Sequence, residues 1–155
     1  MAELAIDGGT PVREETLPYG GQSVDDNDVQ AVAEVLRSDW LTTGPAVDAF
    51  EEAFADAVEA DEAVAVANGT AALHAAMRAL DIGEGDEVVV PPMTFAASAN
   101  SVLFEDGRPV LADVRADTLL LDPERAEERI TEKTRALLAV DFAGQPCDYE
   151  SLREV

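Results

Sequence analysis

The feature that most constrains this chain is a change of hydrophobic period near residue 63. Before it, apolar residues recur at helical spacing; after it, short apolar runs alternate with helical segments as far as residue 142. The runs 63–67, 87–90, 110–114 and 136–142 read as strands, and 69–80, 94–104 and 123–130 read as helices between them. Such alternation implies an α/β fold, a mostly parallel sheet covered by helices. Sheets of this kind take ligands at the carboxyl ends of their strands. Leu73, Ala76, Met77 and Leu80 form the expected buried stripe of the helix at 69–80, and the stretch 82–86, IGEGD, reads as a turn.

Upstream of the alternation, 1–24 carries Gly8, Gly9, Pro11, Pro18, Gly20 and Gly21 and reads as an extended arm with turns. Ser23 with Asp26 resembles a capping box opening a helix whose Val29, Val32 and Leu36 share one face. The stretch 39–45, DWLTTGP, reads as a loop. A second amphipathic helix follows, with Val47, Phe50, Phe54 and Val58 on one side and Asp48, Glu51, Glu52, Asp56 and Glu59 on the other. Residues 25–155 therefore read as the N-terminal part of one α/β domain. A last helix opening near Asp148 meets no stop signal before Val155, so a truncated domain is expected.

Composition narrows the function classes. The chain holds 33 Asp and Glu against 10 Lys and Arg, a net charge of -23, and Lys133 is its single lysine. The acids are distributed along the chain, so a disordered acidic tail does not account for them. We read this as adaptation to a salty cytoplasm, since salt screens such self-repulsion. Nucleic acid is excluded as a partner for want of a basic surface. No apolar run approaches the roughly 18 to 20 residues of a membrane span, and no signal peptide is visible. One histidine, His74, and one cysteine, Cys147, make no transition-metal site.

Two segments can carry chemistry. In 68–73, NGTAAL, a strand turns into a helix, and the first amides of a helix have no internal partners. With the dipole there, a phosphate can rest on Thr70 and Ala71; the plain alternative is a turn with Asn68 as N-cap. Phe95, in PPMTFAASAN after the second strand, can lie flat on an aromatic ligand or simply belong to the core. His74 falls off its helix's apolar stripe and is expected at the surface. Cys147 has no base beside it and reads as a structural thiol. Lys133, in the polar link ITEKTR, reads as solvated, without the desolvated setting of a Schiff-base lysine.

Taken in order, PYGGQS (18–23), DWLTTGP (39–45), VANGTAALHAAMRAL (66–80), GDEVVVPPMTFAASANSV (85–102), PVLADV (109–114) and DFAGQPCD (141–148) resemble the DegT/DnrJ/EryC1/StrS sugar aminotransferases. Within that family the likeness is strongest to members acting on a UDP-linked 4-keto-6-deoxy sugar in pseudaminic acid biosynthesis. The resemblance implies part of the large domain of a fold type I transferase that uses pyridoxal 5'-phosphate (PLP) and works as a homodimer. It implies that Thr70 and Ala71 hold the cofactor phosphate and that Phe95 stacks on the pyridine ring. It also implies that Tyr19, Asp39, Trp40, Leu41 and Thr42 line the nucleotide-sugar site, with glutamate as amino donor. The family's later segments, an EDAA-like strand end and an SFHPVK-like lysine segment, do not occur here. The 155 residues are therefore expected not to turn over alone. A non-catalytic domain that binds a partner or nucleotide-sugar, and one half of a split enzyme, stay open beside that reading.

The distributed charge predicts that raising KCl from about 0.1 M to about 2 M, where the screening length shrinks from about 10 Å to under 3 Å, raises the melting temperature. A melting temperature that is flat or falling with salt would contradict the halophilic reading.

Overall fold

A computed structural model describes residues 3–15, 18 and 20–155. The chain divides into two compact units, Met1–Ala63 and Val64–Val155.

In the second unit the centre is β1 (Glu87–Val90). Parallel strands β2 (Arg108–Leu111) and β3 (Thr134–Leu137) flank it, giving the order β2-β1-β3. Val88, Val89 and Val90 are fully buried, as a central parallel strand covered on both faces must be. Their alternation divides the core. Val88 and Val90 join Met77, Ile82 and Val102 on one face. Val89 joins Ala112, Leu120, Leu121, Ala126, Cys147 and Leu152 on the other. Helices α3 (Gly69–Ala79) and α4 (Ala97–Phe104) supply Met77 and Val102 to the first cluster. Short helices α5 (Pro123–Glu127) and α6 (Tyr149–Glu154) supply Ala126 and Leu152 to the second.

Polar contacts fix the sheet's entry and the pairing of α3 with α4. Glu87 is buried, and its carboxylate accepts from Arg108 Nη1 at 3.1 Å and Thr131 Oγ1 at 2.7 Å. Glu105, just past α4, bonds His74 Nε2 at 2.7 Å and accepts from Arg78 Nη1 at 3.3 Å, both on α3. His74 also meets the Phe104 ring edge-on, so the residue expected free at the surface is half-buried in a polar clasp.

Several expected boundaries shift. The stretch 63–67 is not a strand of the sheet, whose order is β2-β1-β3: an apolar run that does not join the ladder makes no strand. Of the α3 stripe, Met77 is buried and Leu73 half-buried, while Ala76 and Leu80 are exposed. α4 begins at Ala97, three residues late, because bends occupy 92–94. α5 stops at Glu127; the amides of Arg129 and Ile130 reach back only three residues, a tightening end. β2 starts earlier than expected, at Arg108, and Val114 pairs antiparallel with Leu121 instead of extending the sheet. β3 likewise starts early, and a tight turn at Phe142–Gly144 follows it.

In the first unit, α1 (Asp26–Arg37) opens on a full capping box, set two residues later than expected. Asp25 Oδ1 accepts from the amides of Asn27 and Asp28, and Asp28 Oδ2 accepts from the Asp25 amide at 2.9 Å. These amides hold the Asp25 carboxyl below the usual range, that of Asp28 foremost. α2 (Pro45–Ala57) places Pro45 in its first turn, where the missing N–H costs nothing. The expected apolar faces are largely uncovered: Val29, Val32, Leu36, Phe50, Phe54 and Val58 are exposed, and Val47 is half-buried.

The join of α4 to β2 is tight. Asp106 has φ of 59°, and a Cβ on Gly107 would stand 2.6 Å from Ile82 Cγ2 and 3.0 Å from Val102 Cγ1. Gly107→Ala is therefore predicted to destabilise by about 1–3 kcal/mol, the usual cost of overpacking, measured by denaturant unfolding. An unchanged midpoint would contradict this packing.

Candidate functional site

Two connections bring the expected cofactor residues together. One is the start of α3. Asn68, in extended conformation, caps the helix: its Oδ1 accepts from the Ala71 amide at 2.9 Å. Asn68 is thus the N-cap, and its bond removes Ala71 N–H from the free amides. The amides of Gly69 and Thr70 have no partner among the described residues. A Cβ built on Gly69 would meet nothing within 4 Å, so the missing side chain leaves open space over those amides.

The other connection runs from the carboxyl end of β1 to α4 and carries Phe95. Phe95 is 80% exposed, so it is not a core phenylalanine. It lines one open depression of about 520 Å³ with Gly69, Thr70, Ala72, Leu73 and Ala97. Thr94 and Ser98 brace the connection, their hydroxyls 2.7 Å apart. The lining holds no ionised side chain, and a helix terminus favours an anion. One end of this hollow can thus seat a phosphate and the other a flat ring.

A larger hollow of about 600 Å³ lies beside α5 and α6. Its rim carries Asp122, Glu124, Glu127, Asp148 and Glu154 against Arg115, which disfavours an anion. Cys147 lies against it and is inert by position: burial pushes its thiol pKa up, and Sγ donates to Val140 O at 3.3 Å. The Cys147 amide donates to Asp141 Oδ1, as does the Tyr149 hydroxyl at 2.8 Å. These bonds, the Cys147 amide first, hold Asp141 below the usual carboxylate range. Sequence reasoning missed this cluster and the Glu105 clasp, because both join residues that no periodicity links.

The residues expected to line a sugar site lie in the first unit. Asp39, Trp40, Leu41 and Thr42 form one exposed turn between α1 and α2. Tyr19 lies outside the described residues. Lys133 is exposed, as expected.

The sequence profile described as the DegT/DnrJ/EryC1/StrS aminotransferase family matches residues 22–155. The chain belongs to this family. It is 42% identical over 143 residues to the spore coat polysaccharide biosynthesis protein SpsC of Bacillus subtilis (strain 168), covering 92% of this chain and 37% of that protein. Among solved structures it is similar to Spr1654 of Streptococcus pneumoniae, assigned as a sugar aminotransferase, in its PLP-form. The TM-score is 0.84 at 35% identity, over 90% of this chain and 36% of that one. It is also similar to the aminotransferase from Psychrobacter cryohalolentis, with TM-score 0.81 and 38% identity over 88% of this chain and 35% of that one. The chain thus spans little more than a third of the length of these relatives. The fold is the α/β architecture of fold type I aminotransferases, as expected.

The Asp141 cluster gives a pH prediction. The bond to Asp141, with burial, raises Tyr149 to about 12. A raised pKa contributes stability in full below the unfolded value, about 10, and loses it as pH rises through the folded value. Wild type is therefore predicted to lose more stability than Tyr149→Phe between about pH 10 and pH 12, by chemical denaturation. Parallel curves would contradict the assignment.

Proposed function

We propose that this chain supplies the phosphate seat and ring platform of a PLP-dependent sugar aminotransferase. The observation that carries the proposal is the shared hollow. The open amides of Gly69 and Thr70 stand on one side of it, and an exposed Phe95 ring on another. The residues present fit these two parts of the cofactor: a dianion needs donors without competing acid, and a pyridine needs an exposed aromatic face. When bound, PLP serves as an electron sink for moving an amino group.

The chain's own residues then do the following. Gly69 and Thr70 amides donate to the phosphate, with the Thr70 hydroxyl as a further donor. Ala71 contributes by exchanging its bond to Asn68 for one shared with the phosphate. Phe95 fixes the ring's plane and excludes water from that face. Asp39, Trp40, Leu41 and Thr42, with Tyr19, line the place of a nucleotide-linked sugar. We further propose that the complete protein converts a UDP-linked 4-keto-6-deoxy sugar to its 4-amino form with glutamate as donor. On this reading it does so as a homodimer in the pseudaminic acid route, in the cytoplasm of a salt-adapted organism. Support for the substrate class is the likeness of the sequence blocks; support for the salt adaptation is the distributed acid and single lysine. The complete protein needs no nucleic acid or metal on this reading.

The test is binding of 4'-deoxypyridoxine 5'-phosphate, which keeps the ring and phosphate but lacks the aldehyde. Isothermal titration in molar KCl should give saturable binding, weakened about tenfold by Phe95→Ala, in line with the ~1.5 kcal/mol of an aromatic contact. Gly69→Ala should abolish binding while the fold keeps its stability, since its Cβ meets no protein atom. With stoichiometric PLP and borohydride, Lys133 should carry no pyridoxyl group. Binding insensitive to both substitutions would overturn the proposal.

A further inference from the structure

We propose that Ser38 and Gly44 are positioning residues. On this proposal they hold the Trp40 indole in one outward pose, as a preformed platform for an uncharged ring of the nucleotide-sugar. The inference rests on the reading that 39–42 line that site.

Trp40 is 59% exposed, an unusual place for the largest apolar side chain. A surface tryptophan on a loose loop would have little to fix its direction. Here the turn is built. Ser38 is the C-cap of α1. Its hydroxyl donates to Val35 O at 2.8 Å and accepts from the Trp40 amide at 3.1 Å, and the Trp40 carbonyl lies at 3.2 Å as a second acceptor. This side chain therefore ties the Trp40 amide to the last turn of α1. On the far side, a Cβ on Gly44 would stand 2.5 Å from Trp40 Cβ and 3.3 Å from Cγ. No residue larger than glycine fits there while Trp40 keeps this pose. Thr43, next to it, has φ of 46°, a left-handed conformation that a non-glycine residue adopts only when its surroundings impose it. Trp40 also borders a small hollow of about 230 Å³ with Val35, Pro45 and Ala46.

Ordering a side chain before its ligand arrives removes an entropy cost from binding. An aromatic face held this way suits a flat base or the apolar face of a sugar. Neighbouring charge narrows the choice further. Asp39 adjoins the indole in sequence, and Glu34 lines the same hollow. Both repel a diphosphate, so the part resting on Trp40 is the uncharged base or sugar.

Trp40 is the single tryptophan of the chain, so its fluorescence reports this turn alone. Time-resolved anisotropy of the 155-residue protein in molar KCl should show an indole that turns with the whole molecule. Ser38→Ala and Gly44→Ala should each introduce fast local rotation without lowering helical circular dichroism, and Ser38→Thr should restore the wild-type decay. UDP-N-acetylglucosamine should shift the wild-type emission, with affinity about tenfold weaker in the two alanine variants. Uridine or N-acetylglucosamine alone, whichever reproduces the shift, identifies the ring, and pyrophosphate alone should leave emission unchanged. A freely rotating wild-type indole, or alanine variants with the wild-type decay, would overturn the positioning. A response to pyrophosphate alone would overturn the uncharged-ring assignment. A rigid indole released by both substitutions but blind to UDP-N-acetylglucosamine would support the positioning and sink the sugar-site reading on which its purpose rests.

Discussion

Everything in the second unit depends on β1 being buried from both sides. Val88 and Val90 need one apolar cover and Val89 another, so α3 and α4 settle on one face and α5 and α6 on the other. With three adjacent valines fully buried, neither cover is dispensable. Because α3 and α4 share a face, their leading connections meet at one place. The Glu105 clasp between them, to His74 and Arg78, holds that pairing at the far end. The hollow that the start of α3 shares with Phe95 is therefore a consequence of the core, not a separate construction.

The chemistry of that place is economical in charge. A chain with net charge -23 cannot easily assemble a cluster of lysines for a phosphate. On the proposed reading it uses backbone amides at a helix start, whose donor character no surface composition can alter. The hollow's lining carries no carboxylate, so the acid that covers the rest of the chain is kept off the site. Gly69 serves here by what it lacks: its missing side chain keeps the approach to two amides open.

Much of this was legible in the sequence because it follows from local rules. The helix at 69–80, the strand at 87–90 and the N-cap Asn68 are written in periodicity and in residue type. The role of Phe95 could be narrowed only by its exposure, since a phenylalanine after a strand reads equally well as core. The stretch 63–67 misled because β-like composition does not by itself supply a place in the sheet. The Glu87 to Thr131 bond, the Glu105 clasp and the Asp141 cluster were illegible because they join positions brought together only by the fold. The exposed stripes of α1 and α2 mark the reverse case, where amphipathic pattern is present and the 155 residues leave it uncovered.

The central claim is that the start of α3 grips the anionic end of the cofactor beneath an exposed phenylalanine. Amide chemical shifts in a nitrogen-15 spectrum, followed while the aldehyde-free cofactor analogue is added, test it most directly. The account predicts that the largest movements are those of Gly69 and Thr70, with the Phe95 amide also displaced and Cys147 and Ser151 still. Movements centred on the α5–α6 hollow, with Gly69 and Thr70 unmoved, would contradict it.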